Sequence, residues 1–321
     1  MPAIKRLGRL SIVVPVYFNE ANLPETIPAL LRLQDSLPST KLELVFVDDG
    51  SKDRSVSVLQ EWQSRHPDKI AVVRLTRNFG SMAAIQAGLT AATGDCVGVI
   101  SADLQDPPEL FLTMIEHWRN GVKVALATRK TRDEGVFIKL FAALFYKLMN
   151  TLALSGYPRG GFDFCLIDRQ VVGDLIRMEE KNTNIMALIF WLGYKPEIIP
   201  YSRKKREGGV SRWTFMKRVK LFIDSFVSFS YAPIRFITTA GILIAAFSVL
   251  YTAFILYYKL RFDHPVQGYT TLAMMLAFSF GAQMMALGII GEYLWRTLDG
   301  SRRRPQYVID SISPAASRED P

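Results

Sequence analysis

The sequence is poor in cysteine and histidine. Its two cysteines, Cys96 and Cys165, cannot build a disulfide framework, and neither has a C-x-x-C neighbour. The three histidines, His66, His117 and His264, are scattered. Together these absences exclude a Cys/His zinc site and fit a reducing compartment. The opening stretch, MPAIKRLGRLSIVVPVY, has no apolar core followed by a small-residue cleavage site, and its apolar run meets Pro15 at once. The front of the chain is therefore expected to stay on the side where it is made. Basic excess is also missing from most of the chain, although the net charge is +9. Residues 1–200 carry 23 Lys and Arg against 22 Asp and Glu. The excess sits at residues 201–235, which hold nine Lys and Arg against only Glu207 and Asp224. A basic stretch directly before a long apolar run reads as a contact for anionic lipid headgroups, and no nucleic-acid partner is expected.

Two runs lack charge altogether, residues 236–258 and 268–291. Each reaches the roughly 20 residues that span a bilayer core. Buried core helices of that length normally carry a polar stripe, whereas Gln283 is the one strongly polar side chain of the second run. Tyr257, Tyr258, Tyr269, Tyr293 and Trp295 lie near the ends, as interfacial aromatics do. The connection at 259–267 is short, so an antiparallel transmembrane hairpin is expected within residues 233–297. Lys217, Arg218, Lys220 and Arg235 precede it and Arg296 and Arg302 to Arg304 follow it, which places both termini in the cytoplasm. Within 206–232, Phe215, Val219, Phe222, Ile223 and Phe226 fall on one helical stripe with basic residues around it. That pattern predicts a basic amphipathic helix at the lipid bilayer interface, with packing on the preceding domain as the alternative. Residues 298–321 are expected to form a cytoplasmic tail, of which residues 305–321 are polar and expected to be loosely ordered.

Upstream, apolar strand-like runs at 10–16, 42–47, 70–75 and 96–100 alternate with helix-like segments at 23–37, 55–64 and 81–92. Continuous apolar strands alternating with helices predict an α/β domain over residues 1–205 with a mostly parallel sheet buried on both faces. Such sheets bind ligands at the carboxyl ends of their strands. Polar clusters stand at those ends: Tyr17 to Glu20, Asp48-Asp49, Arg77-Asn78 and Asp103 to Asp106. In the last, Asp103 and the Gln105 carbonyl offer hard oxygen ligands for Mg2+ or Mn2+. An acidic turn before Pro107-Pro108 is the plainer alternative.

The ordered motifs IVVPVYFNE (12–20), VDDGS (47–51), RNFG (77–80) and ADLQDPPE (102–109) resemble glycosyltransferase family 2. Within it they resemble the dolichyl-phosphate mannose synthase-like branch, and with the paired apolar runs the bacterial polyprenyl-phosphate (bactoprenol) glucosyltransferases of the GtrB kind. The resemblance covers about residues 8–300 and implies a GT-A (Rossmann-like) catalytic domain. By that resemblance Pro15, Tyr17, Glu20 and Asn78 would line the nucleotide pocket, and Asp48 would hold uracil or ribose. Asp103 and Gln105 would take the metal with the donor diphosphate, and Arg129 would reach a phosphate. Arg206, Ser211 and Arg212, in REGGVSRW (206–213), match a family segment that closes over donor and acceptor phosphates. Asp163, in GGFDF (160–164), would serve as base or sugar-hydroxyl contact, with a turn acid as the alternative. The implied reaction is inverting transfer of a sugar, glucose first, from a UDP-sugar to polyprenyl (undecaprenyl) phosphate, in a chain that associates as a homo-oligomer. Relatives commonly carry Asp where Ser101 stands, a departure that would weaken the metal site or leave it to Asp103 and Gln105. It also keeps open a non-catalytic nucleotide-sugar sensor or scaffold.

Overall fold

The apolar runs form the strands of one sheet. The computed structural model describes residues 5–129, 143, 147–158, 162–178, 180, 184–202, 228–230, 232–262 and 268–315. The strands are β1 (Arg9–Val16), β2 (Lys41–Asp48), β3 (Ile70–Leu75), β4 (Cys96–Val99), β5 (Val124–Arg129), β6 (Phe164–Asp168), β7 (Pro196–Tyr201) and β8 (Ile309–Ser313). They lie in the order β7-β5-β6-β4-β1-β2-β3-β8. The pairs β1/β2, β1/β4, β2/β3 and β5/β7 are parallel; β6 runs antiparallel to β4 and β5, and β8 runs antiparallel to β3. The mostly parallel, GT-A architecture implied by the motifs is thus present.

The central strands are apolar on both faces because helices cover both. Leu10, Ile12, Val14, Leu44 and Phe46 share a core with Leu23, Ile27 and Leu30 of α1 (Leu23–Leu31) and Phe111 and Met114 of α5 (Leu110–Arg119). On the other face α4 (Ser81–Ala91) lies against β1 and β2 so closely that a Cβ on Gly88 would stand 2.3 Å from Val13 Cγ1. The expected helix at 23–37 is divided into α1 and the short α2 (Leu33–Ser36). The division keeps Leu33 buried while the Gln34 amide donates to the carbonyls of Leu37 and Thr40 and closes the turn. The remaining helices described in the sheet unit are α3 (Ser55–Arg65), a π-helical turn at Met149–Ala153, α6 (Arg169–Met178) and α7 (Ile185–Trp191).

Chain order reverses between β1 and β4: β1, β2 and β3 run outwards on one side, and β4 returns to the other side of β1. A crevice therefore opens at the carboxyl ends of these two strands, where open parallel sheets take ligands.

The chain divides into two compact units, one of Met1–Ser225 with Pro305–Pro321 and one of Phe226–Arg304. The second contains α8 (Ala232–Phe262) and α9 (Tyr269–Ser301), which touch each other. In α8, residues Ala232–Tyr258 are long and apolar enough to cross a membrane, and among the described residues this is the one helix that meets that test. Its apolar side chains, Phe236, Leu243, Phe247 and Leu250 among them, are exposed rather than packed in a core. Near the end of α9, Tyr293 donates to the Ser230 carbonyl at 2.9 Å, and Arg296 pairs with Glu292 and reaches Ser228 Oγ at 3.3 Å.

Residues 309–313 are not loosely ordered. They form β8, closing the sheet edge at β3, with Gln63 donating to the Ser313 carbonyl and Tyr307 to Thr90 Oγ1. Ile309 and Ile312 pair with Leu75 and Val73 across a shift in register, and the strand is exposed along most of its length, as an edge strand is. Most of the predicted interface-helix segment at 206–232 lies outside the described residues.

Candidate active site

The crevice is bounded by two loops that carry left-handed backbone at non-glycine residues: Phe18 (φ 53°) after β1 and Leu104 (φ 51°) after β4. Such conformations are costly and gather where a surrounding framework holds functional groups. After β1, the Tyr17 N–H donates to Asn19 Oδ1, Phe18 N–H to Ser51 Oγ at 3.0 Å, and Asn19 N–H to Ser55 Oγ at 2.9 Å. The loop is thus laced to the start of α3. Tyr17 is 38% exposed, Pro15 is half-buried, and the Tyr17 and Phe18 rings meet edge-on at 4.6 Å.

The two aspartates after β2 have separate tasks. Asp49 accepts the N–H groups of Phe79 at 2.7 Å and Gly80 at 2.9 Å, clamping the turn into α4. Between them Gly50 (φ 70°) passes so near the backbone that a Cβ would stand 2.5 Å from the Arg77 carbonyl carbon. Asp48 is fully buried and faces the Ser51 N–H at 3.2 Å. Burial pushes both carboxyls above the usual carboxylate range, against the hydrogen bonds they accept. Asn78, by contrast, is exposed, beside Arg77, whose guanidinium stacks on Phe79 at 4.0 Å. Glu20 is also exposed, and its carboxylate accepts the Arg54 N–H at 2.8 Å.

After β4, Ser101 Oγ lies 2.7 Å from Asp103 Oδ1 and 3.1 Å from Asp106 Oδ2. The Gln105 N–H points at Asp103 Oδ1 at 3.4 Å, and Thr26 of α1 anchors the loop by donating to the Ala102 carbonyl at 2.9 Å. Asp106 is fully buried and accepts the Tyr201 hydroxyl from the end of β7. Tyr201 in turn stands beside its register partner Arg129, at the end of β5, and the two side chains interact. Arg129 Nη2 pairs with Asp163 Oδ2 at 2.6 Å across to the start of β6. Burial works against the Arg129 charge, but Asp163, Tyr201 and Asp106 outweigh it and hold the guanidinium above its usual range.

Pro15, Tyr17, Glu20, Asp48, Asn78, Asp103, Gln105, Arg129 and Asp163 thus stand at one sheet edge. Arg206, Ser211 and Arg212 lie outside the described residues. Asp49, Asp106 and Tyr201 take parts that the motifs alone do not assign. Asp106 had a signal, being the second acid of the 103–106 loop. Tyr201 had none beyond its place at the end of an apolar run.

Among the described residues no group of three or more His, Cys, Asp and Glu side chains could hold an ion. The donor set is instead one half-buried carboxylate, Asp103, with the Gln105 amide beside it. A hard divalent cation that brings phosphate oxygens and water with it fits such a set, and the described residues form no preformed cage.

The family profile for glycosyl transferase family 2 matches residues 11–176. The chain belongs to glycosyltransferase family 2, and it is a glycosyltransferase. It is 39% identical over 300 residues to the uncharacterized glycosyltransferase YkcC of Bacillus subtilis, covering 93% of this chain and 92% of that protein. It is 34% identical over 302 residues to the bactoprenol glucosyl transferase of Shigella phage SfV, covering 94% and 98%. Among solved structures, the mannosyltransferase PcManGT from Pyrobaculum calidifontis, in complex with GDP-Man and Mn2+, is similar with a TM-score of 0.45 and 18% identity over 89% of both chains. The bactoprenol glucosyltransferase resemblance of the motifs therefore extends over nearly the whole chain.

Proposed function

We propose that this glycosyltransferase moves a sugar, glucose first, from a UDP-sugar to polyprenyl (undecaprenyl) phosphate at the cytoplasmic face of the membrane. The observation that carries the reading is the pairing, at one sheet edge, of a cation-competent carboxylate loop at Asp103 with a held guanidinium at Arg129. A nucleotide-sugar diphosphate needs that combination, because charge grows on it as the sugar leaves. The similarity to a phage bactoprenol glucosyl transferase supports the lipid acceptor.

In this reading Pro15, Tyr17 and Asn78 present the accessible surface for the nucleoside, and Asp48 braces the Ser51 turn beneath it. Asp103 and Gln105 hold Mg2+ or Mn2+, which when bound screens the diphosphate. Arg129 takes the diphosphate oxygens from the other side. The acceptor phosphate is already anionic, so its oxygen attacks the anomeric carbon opposite the leaving group without needing a strong base. One carbon–oxygen bond forms, the bond to the nucleoside diphosphate breaks, and the anomeric configuration inverts. Asp163 is then better used against Arg129 than as a base, since its carboxylate already pairs with the guanidinium. Arg206, Ser211 and Arg212 are assigned to the acceptor and donor phosphates.

The return of the chain to the sheet as β8 supports the membrane arrangement. β1 to β7 and β8 lie in one sheet, which favours an even number of crossings between Tyr201 and Ile309. With α8 as one crossing, α9 is the return. Its 33 residues extend about 50 Å, more than the roughly 30 Å of a bilayer core. The Arg and Lys residues that flank the hairpin favour a cytoplasmic location for both ends.

The test is transfer of labelled sugar from a panel of UDP- and GDP-sugars to undecaprenyl phosphate in detergent, with Mg2+ or Mn2+ and then with EDTA. Metal-dependent label in the lipid phase from a single donor is expected, and Asp103→Ala should abolish it. Nucleotide-sugar binding without lipid label from any donor would favour a sensor or scaffold instead.

A further inference from the structure

Between Asp103 and Arg129 runs an unbroken line of polar side chains: Asp103, Ser101, Asp106, Tyr201, Arg129. Its middle is sealed. Asp106 is fully buried and Tyr201 is 6% exposed, so neither has surface to offer a substrate of any size. Burying a carboxylate is expensive unless it is hydrogen-bonded on both sides. Here Tyr201 donates to one oxygen of Asp106, and Ser101 stands 3.1 Å from the other. The phenol stays protonated, because burial and then the Asp106 charge push it far up. It can therefore donate to Asp106 while its oxygen stands beside the Arg129 guanidinium, its register partner across the β5/β7 ladder.

Ser101 has a choice that Tyr201 does not. A hydroxyl carries one proton, yet Ser101 Oγ is within hydrogen-bond distance of both Asp103 at 2.7 Å and Asp106 at 3.1 Å. It donates to one carboxylate at a time. When a cation takes Asp103, that carboxylate no longer needs the hydroxyl, and the proton is available to Asp106. Asp106 better satisfied by Ser101 changes the partner of Tyr201, and through it the setting of Arg129. An aspartate at position 101 could not do this, since it would carry no proton to move and would add a third negative charge.

We propose that Ser101, Asp106 and Tyr201 are positioning residues that couple the cation side of the site at Asp103 to the phosphate side at Arg129, so that cation binding sets the guanidinium for the diphosphate. The inference rests on the transferase reading above. It assigns Ser101 a purpose in this chain rather than treating it as a lost ligand.

The experiment measures UDP binding to the full-length detergent-solubilised chain by calorimetry, in EDTA and in saturating Mn2+. The quantity read is the factor by which Mn2+ tightens UDP binding. Coupling factors of this kind commonly run from about 5- to 150-fold, and we expect Ser101→Ala and Tyr201→Phe each to lower it by about threefold or more. The double variant should lose no more than the larger single loss, because both interrupt one line. Ser101→Thr, which keeps the hydroxyl, should restore the factor. Unchanged coupling in folded Ser101→Ala or Tyr201→Phe, or independent losses that multiply in the double variant, would overturn the proposal. Should Tyr201→Phe fail to fold, Ser101→Ala and its threonine rescue decide the matter alone. A wild-type chain that binds no UDP would overturn the UDP-sugar donor proposed above, and this inference with it; UDP binding tightened equally by Mn2+ in every variant would overturn only the inference.

Discussion

Replacing Asp49 by alanine separates the stability of this site from its chemistry. The Asp49 carboxylate accepts two backbone N–H groups, at 2.7 and 2.9 Å, from the turn that opens α4. Hydrogen bonds to a charged group contribute about 1.5–3 kcal/mol each, and removing the carboxylate recovers part of its desolvation cost, so a net loss of about 2–4 kcal/mol is expected. For a unit of this size that corresponds to a fall in Tm of about 5–15 °C. Asp49→Asn should lie between, because an amide oxygen can accept one N–H while its NH2 group faces the other donor. Thermal unfolding of the detergent-solubilised chain, followed by intrinsic fluorescence, reads both. The pH dependence gives a second check. Burial raises the Asp49 carboxyl above its ordinary range. An acid raised in this way binds its proton more readily folded than unfolded, so its contribution to stability is largest below the ordinary value of about 3.9 and declines as pH rises through the raised value. The gap between wild type and Asp49→Ala should therefore narrow as pH rises above about 4. A Tm change under about 2 °C, or a gap that widens with pH, would refute the reasoning.

Gly98→Ala would set a Cβ 2.3 Å from Phe111 Cε1, inside a cluster where Phe111 already meets Phe164 edge-on at 4.7 Å; a loss of about 1–3 kcal/mol by overpacking is expected in denaturant unfolding. Truncation after Pro305 removes β8 and leaves the β3 backbone from Val72 to Leu75 without its partner strand; the shortened chain should lose stability and aggregate through that edge, as seen by size-exclusion chromatography.

Much of the site was legible before any fold was known. Apolar strands ending in acids or amides put Asp48, Asn78 and Asp103 at one edge, since parallel strands all present their carboxyl ends together. The apolar stretch Ala232–Tyr258 of α8 was legible for the same kind of reason, because length and composition can be counted. What the chain alone did not reveal was which neighbour each polar group would meet. Asp48 and Asp49 are adjacent and chemically identical, yet one braces the Ser51 turn and the other clamps the α4 turn. Asp163 read equally as base or turn acid until β6, running antiparallel between β4 and β5, brought it to Arg129. Tyr201 joins Asp106 across 95 residues of chain, and the polar tail becomes β8 only because β3 offers it an unpaired edge. Sequence determined the strand runs, the acids at their ends and the uncharged runs, because local pattern and composition suffice for those. Tertiary structure decided the pairings, because hydrogen bonds between distant residues depend on strand order, and strand order is set by the packing of the whole sheet.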